Sequence, residues 1–543
     1  MRWVYPQDSH QTFESATFVL GSVPPGATLH LNGQPVPVSP EGFFAQKVPL
    51  TPGENALTLT ASNGSTLTRR IQRHQPQAPP QSLVLLAPQQ PVRLTVGEAL
   101  TVTVLAPPGQ TVTLTVPGQP PVPLTPKGKS GFVDNREAVF VELHQTQALI
   151  PANAYYEGRV PLQTPMTDAV LTVQAPGLTP VNLPPVTVSN ALLPATVTKD
   201  QAVTRTAPVS GARLTPLLNG AQLLLNGERD GWVRARLGGD TALWVAKTDV
   251  AFNTPHPRQI PVMTAKSHPT RWHDLNAVEL TLAPLPEPPA HRVITTPQSL
   301  ALDLFGVVSH CDFIHRQTPW PVSWSQATMD TFRLETQVPV CGFDNRFINN
   351  QWHVRIKPWP TEKPVILLDP GHGGTETGST APDGVPEKER NLQLARHVGQ
   401  ALTQAGYPVL WTRQTDATVS LTERAAMAER AHLVISLHHN ALPDGRDPLQ
   451  AEGLGVYYYH PFAEPLARHL FQQLPALLNE PAHGLFYDSL AITRIHTAMA
   501  VLIEVGFFTH PASYARLRQT HFQQAFARAL VQALNGFQAG ALL

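Results

Sequence analysis

Proline is spread unevenly along this chain, and that limits what the chain can build. Of 56 prolines in 543 residues, 44 fall in the first 363 positions and 12 in the last 180. Proline locks φ and removes a backbone donor, so it suits turns and sheet edges better than helix interiors. The two parts are therefore built differently. The first reads as short strands and turns, and the second has the texture of an α/β domain. The chain is long enough for three to five domains at about 150 residues each.

The first part divides into four β modules. Residues 16–74 alternate polar and apolar in short runs, with Asn32-Gly33 as a hairpin turn. A Pro-rich stretch over 74–81 reads as an extended linker. Residues 82–192 hold two strictly alternating runs, 100–105 and 111–116, separated by Pro-Pro-Gly. Residues 195–254 and 268–358 follow the same short-strand pattern. Residues 16–74 and 82–192 resemble bacterial immunoglobulin-like modules by strand pattern. The run around Trp232 and Leu243-Trp244-Val245 resembles a bacterial SH3-type barrel, a wall-binding module or a spacer. Ser299 to Gly306 resembles the core strand of the AMIN module, which accompanies wall amidases and helps localise them.

From 363 to 543 strands alternate with helices, predicting a mostly parallel sheet flanked by helices. Val365 to Leu368 is a compact apolar run, as a buried parallel strand requires. Leu392, Ala395, Val398 and Leu402 form a helical stripe closed by Gly406, and Ser420 with Glu423 makes a capping box. Further strands are expected at 432–437 and 499–504, and the chain ends on an amphipathic helix through Phe522, Phe526, Leu530 and Ala533.

The polar residues of this domain gather where strands end. Asp369-Pro-Gly-His-Gly-Gly374 follows the first strand, Glu387 opens the next helical region, and His438 and His439 close the third strand. Glu504 lies between Ala500-Val-Leu-Ile and Val505-Gly-Phe-Phe508, where an ionised carboxylate is costly unless paired. Carboxyl ends of strands in open α/β sheets converge on one rim. Two histidines and a carboxylate there suit a catalytic zinc with one open position, with the second carboxylate as general base. The glycine-rich turn lacks the Lys-Ser/Thr of a phosphate loop, which disfavours nucleotides.

Asp369–Gly374, Glu387-Lys388, Thr412-Arg413 with Asp416, Leu421 with Arg424, Ile435-Ser-Leu-His-His-Asn440 and Leu502-Ile-Glu-Val-Gly-Phe507 occur in this order. The whole resembles the zinc-dependent N-acetylmuramoyl-L-alanine amidases of the Amidase_3 type. The resemblance implies Zn2+ held by His372, Glu387 and His438, with Glu504 as catalytic residue. His439 is a rival to His438, since neighbours in a strand face opposite ways; register with Ser436 and Asn440 favours His438. Asn440 and Arg494 are candidate substrate contacts. The implied reaction is hydrolysis of the amide between N-acetylmuramic acid and the stem peptide's L-alanine. A zinc peptidase cutting within the stem peptide and a non-catalytic wall-binding scaffold are the alternatives. Some relatives carry an inhibitory helix between the second histidine and the catalytic glutamate; the short segment here predicts that an isolated catalytic domain digests wall without an activator.

Composition removes other classes. Charged residues are 14% and hydrophobic ones 42%, so each domain can bury a core. Lys+Arg and Asp+Glu are both 39, leaving no bulk field for nucleic acid or an anionic membrane. Apolar runs such as 500–506 fall far short of the about 20 residues of a membrane span. Peptidoglycan is the expected partner and the envelope, periplasmic or extracellular, the expected location, although no secretory signal is visible at the start. Cys311 and Cys341 form either one bridge or two buried thiols.

Overall fold

The computed structural model describes residues 1–537 except 76–77, 127–151, 238–241, 253, 255–259, 263, 297, 310–313, 317–321, 329–330 and 337–338. The chain is multidomain: β-rich modules precede a C-terminal domain with helices. Among the described residues no helix is long and apolar enough to cross a membrane.

At the N-terminus a three-stranded sheet of Arg2–Tyr5, Ala16–Ser22 and Phe43–Pro49 faces a five-stranded one. Trp3, Val19 and Phe44 from the first meet Leu29, Leu57, Leu59 and Ile71 from the second. The hairpin at Asn32-Gly33 forms with φ positive at both residues, 49° and 80°, the type I′ geometry that such a pair adopts cheaply. This module begins earlier than residue 16. Arg2–Tyr5 pairs with Ala16–Ser22, and His10–Thr12 pairs with Thr66–Arg73. Strands of four and three residues are too short to show an alternating pattern in the sequence.

Further along, Gln222–Arg229, Trp232–Arg236 and Ala242–Ala246 form an antiparallel meander. Arg234 grips Glu98 of the preceding module through two bonds of 2.5 and 2.7 Å. Leu300–Phe305 is buried along its whole length between His291–Thr295 and Thr331–Thr336. Its sheet faces a second sheet that contains Gln351–Pro358, and this core runs on into the C-terminal domain. Trp352 is completely buried there. Lys357 at the junction donates to the carbonyls of Glu429 and Ala431 at 3.0 and 2.7 Å, and burial pushes its ammonium down to about 7. Cys341 is a buried free thiol; Cys311 lies outside the described residues.

In the C-terminal domain the strands are β1 (Ile366–Pro370), β2 (Val409–Trp411), β3 (Leu433–Asn440), β4 (Leu454–Tyr458), β5 (Ala482–Tyr487) and β6 (Met499–Phe507). They lie in the order β2-β1-β3-β6-β4-β5. β1 runs parallel to β2 and β3, β3 to β6, and β4 to β5, while β4 and β6 are antiparallel. The helices are α1 (Glu387–Gln404), α2 (Leu421–Ala428), α3 (Glu464–Leu478), α4 (Pro511–Leu517) and α5 (Thr520–Gly536). Alternate residues of the central strands face opposite cores: Ile366, Leu368, Ile435 and Val501 pack with α1, α3 and α5, and Leu367, Val434 and Ala500 with the end of α2. α1 starts five residues before the apolar stripe because Pro386 pre-sets an extended N-cap and two acidic residues suit the helix N-terminus. The Ser420–Glu423 capping box forms reciprocally.

Candidate metal centre

Directly after β1 the backbone leaves the sheet in conformations that L-residues avoid. His372 has φ 60°, Gly373 137° and Gly374 57°. A non-glycine residue at positive φ persists only where its surroundings hold it. Two buried arginines do so. Arg413 donates to the carbonyls of Pro370 at 3.0 Å and Gly371 at 2.9 Å. Arg424 donates to the carbonyl of His372 at 2.8 Å and pairs with the buried Asp369. Asp369 also accepts from Thr412 and Ser436, both at 2.6 Å. Burial would raise this carboxyl, but Arg424 and the two hydroxyls outweigh it and hold it below the ordinary range.

Above this frame His372, Glu387 and His438 come together, with one potential ligand atom from each all within 4.8 Å of one another. Nε2 of His372 lies 3.3 Å from Oε1 of Glu387, and Nδ1 of His438 lies 3.2 Å from the same oxygen. Ligands bonded at about 2.0–2.1 Å to a tetrahedral ion sit roughly 3.3 Å apart, and the two histidine–glutamate separations match that spacing. Glu387 is oriented from its other side, with Ser379 N and Oγ donating to Oε2 at 3.0 and 3.1 Å. Burial works to raise Glu387, yet His372 and His438 hold it well below the ordinary carboxylate range. Glycines make the room. A Cβ at Gly371 would stand 2.2 Å from the His438 ring, and one at Gly378 would stand 2.6 Å from Oε2 of Glu387.

His439 points the other way. Its ring stacks on Phe508 at 4.7 Å, and Nδ1 donates to Oδ1 of Asn391 at 2.7 Å. Burial drives its pKa down to about 3. Glu504 sits beside the cluster, paired in register with His438 on one side and Gly455 on the other. It is 2% exposed, and its Oε2 is buried without a hydrogen-bond partner. Burial first, and then the negative Glu387, push this carboxyl well above its usual value. Asn440 closes β3, buried, with its Nδ2 unpartnered.

Arg494 is not brought to this cluster. It lies in the turn that feeds the start of β6, with a guanidinium nitrogen on the carbonyl of Ser489. Glu504 is five residues further along β6 than Met499, about 16 Å at strand rise. Arg494 is a candidate only because the resembled family often carries an arginine near that position, and a position in the chain does not say at which end of the sheet a turn falls. Asn391 went unnoticed. Its Nδ2 donates to the Gly371 carbonyl at 3.2 Å and to Oε1 of Glu387 at 3.1 Å. The available signal was its spacing, four residues after Glu387 on one helix face.

Residues 366–536 match the Amidase_3 family, described as N-acetylmuramoyl-L-alanine amidase. Over 183 residues the chain is 31% identical to the probable cell wall amidase LytH of Staphylococcus epidermidis, covering 33% of this chain and 60% of that protein. With LytH of Staphylococcus aureus it shares 29% over 181 residues, 32% of this chain and 59% of the relative. The chain therefore spans about three fifths of the length of these relatives. Similar solved structures include an N-acetylmuramoyl-L-alanine amidase from Clostridium difficile 630, 26% identical with a TM-score of 0.31, covering 32% of this chain and 96% of that one. AmiC2 of Nostoc punctiforme is 28% identical with a TM-score of 0.30, covering 32% and 97%. Segment 366–536 of this chain is an Amidase_3 domain.

Proposed function

We propose that the chain is a peptidoglycan amidase of the cell envelope, hydrolysing the amide between the lactyl carbonyl of N-acetylmuramic acid and L-alanine. The observation that carries this reading is the His372–Glu387–His438 cluster beside a buried glutamate with a free oxygen. His372, Glu387 and His438 would hold Zn2+. Such an ion supplies polarisation of the scissile carbonyl and a more acidic water. Oε2 of Glu504 takes the proton of the attacking water as the new C–O bond forms. It then returns that proton to the amide nitrogen, which leaves as the free amine of L-alanine while the lactyl group becomes a carboxylate. Nδ2 of Asn440 is the buried donor available to a substrate carbonyl. A mostly parallel sheet would gather these groups at one rim, and the immunoglobulin-like, SH3-like and AMIN-like modules would hold the chain at the wall.

The test is a digest of purified peptidoglycan by the full chain with and without a chelator. Mass spectrometry should show intact stem peptides beginning with L-alanine, appearing only when zinc is present. Fragments cut inside the stem would establish a peptidase instead, and no release at all would leave a wall-binding scaffold.

A further inference from the structure

One strand of the N-terminal module does not behave as the outer strand of a free sandwich. Ala16 to Gly21 are all buried, where a strand with one wet face alternates. Its inner residues, such as Val19, join the module's own core. Phe18 and Leu20, on the opposite face, are each 2% exposed and cluster with Ala45 and Tyr5. On the neighbouring strand Phe44 faces inward, while Phe43 packs among Ala381, Phe508, Tyr514 and Ala515 of the Amidase_3 domain. Its ring meets Tyr514 edge-on at 5.0 Å.

The polar contacts point to the same seat. Asp444 lies four residues past Asn440, in the loop leaving β3. Its carboxylate accepts from Tyr5 at 2.5 Å, His10 at 2.6 Å and Thr17 at 2.8 Å, all from the N-terminal module. Next to it, the Gly445 amide donates to the Ala16 carbonyl at 3.1 Å. Arg2 reaches the Asp383 carbonyl in the turn before Glu387. The three segments that receive the module thus adjoin Glu387, His438 and Glu504 in sequence. The cluster stays open beneath it, the side chains of His372 and His438 being 24% and 14% exposed.

We infer that the N-terminal module is part of the catalytic unit: seated through Asp444 and Phe43, it fixes the rim loops that adjoin Glu387, His438 and Glu504. This rests on the amidase reading for its substrate, and on packing alone for the docking. Asp444 is a positioning residue, acting through the loop that continues from His438 and Asn440. The module leaves the cluster accessible to solvent.

The experiment compares the full wild-type chain with the Phe43→Ala/Asp444→Ala double variant and with Asp444→Asn alone. Neither side chain belongs to the module's own core. Amide hydrogen exchange over 440–445 should quicken in the double variant, and KM for a soluble muropeptide should rise about tenfold with kcat changing less, as the loss of hydrogen bonds to a charged group predicts. Asp444→Asn keeps an acceptor for Tyr5 and Thr17 and should restore both readouts. Unchanged exchange, unchanged KM or faster turnover in the double variant overturns the inference. A wild-type chain that releases no stem peptide sinks the amidase reading instead, and the exchange comparison then still decides the docking.

Discussion

Two carboxylates are buried at the same rim, on strands that flank β3, and their surroundings are opposite. Asp369 on β1 has a guanidinium and two hydroxyls, and its pKa is held down. Glu504 on β6 has an oxygen with no partner, and its pKa is pushed up. A protein selected only for stability would have no use for the second arrangement, since an unsatisfied buried carboxyl costs about 1–3 kcal/mol or more. The first is scaffold for the strained loop at His372. On the amidase reading the second is the proton carrier, and its unpartnered oxygen is what leaves it available for that role.

The sharpest test of that contrast is to neutralise each in turn. Glu504→Gln should lower the rate of stem-peptide release by about 10²–10⁴-fold, the range for loss of a general acid–base group. Its unfolding midpoint in urea should not fall, and bound zinc should remain. Asp369→Asn should behave the other way. It leaves the Arg424 guanidinium, 3% exposed, without a counter-charge, and breaking such a pair costs about 3–5 kcal/mol. Urea unfolding of the Amidase_3 domain should show that loss. If Glu504→Gln destabilises and Asp369→Asn does not, the assignment of roles is inverted.

The same contrast explains what the sequence could and could not reveal. Glu504 stands out because a carboxylate inside an apolar run is costly, and that cost is visible in a linear string; His372, Glu387 and His438 gain their weight from six motifs in the order of the resembled family. The placement of His438 against His439 followed from the two-residue period of a strand. Arg494 is a candidate only by the position of an arginine in the resembled family; it lies in the turn before β6, and a position in the chain does not say which end of a sheet a turn occupies. The docking of the N-terminal module was hidden for a related reason. Its seat is assembled from three segments more than 300 residues downstream of the module, and only the unbroken apolar run Phe18-Val-Leu20 hinted that both faces of that strand are covered. That docking also bears on the expectation that an isolated catalytic fragment digests wall unaided. Such a fragment would lack the partners of Asp444.

Asn391 joins the two halves of the comparison, since it touches the loop above Asp369, the ligand candidate Glu387 and the ring of His439. Asn391→Ala should leave the fold intact but free Glu387 to rotate. Groups that orient metal ligands are worth about 10–100-fold in metal affinity when removed. Zinc titration against a competing chelator should therefore show weaker binding in this variant, whereas Glu504→Gln should bind as wild type does.

The smallest effect belongs to Ser436, which gives Asp369 one of its three side-chain partners. Ser436→Ala removes a hydrogen bond to a charged acceptor, worth about 1.5–3 kcal/mol, and leaves the zinc cluster untouched. Its signature is in the pH dependence. A carboxyl held below its unfolded value adds stability that is fully present above the ordinary carboxylate pKa and is lost as pH falls through the folded one. With one donor gone the folded pKa of Asp369 moves back up, so acid unfolding should begin at a higher pH than in the wild type. Stem-peptide release at neutral pH should stay the same, because Arg424 still holds the carbonyl of His372. A variant that kept its acid stability would show that Arg424 and Thr412 suffice to set the charge of Asp369, and the contrast with Glu504 would then rest on those two partners.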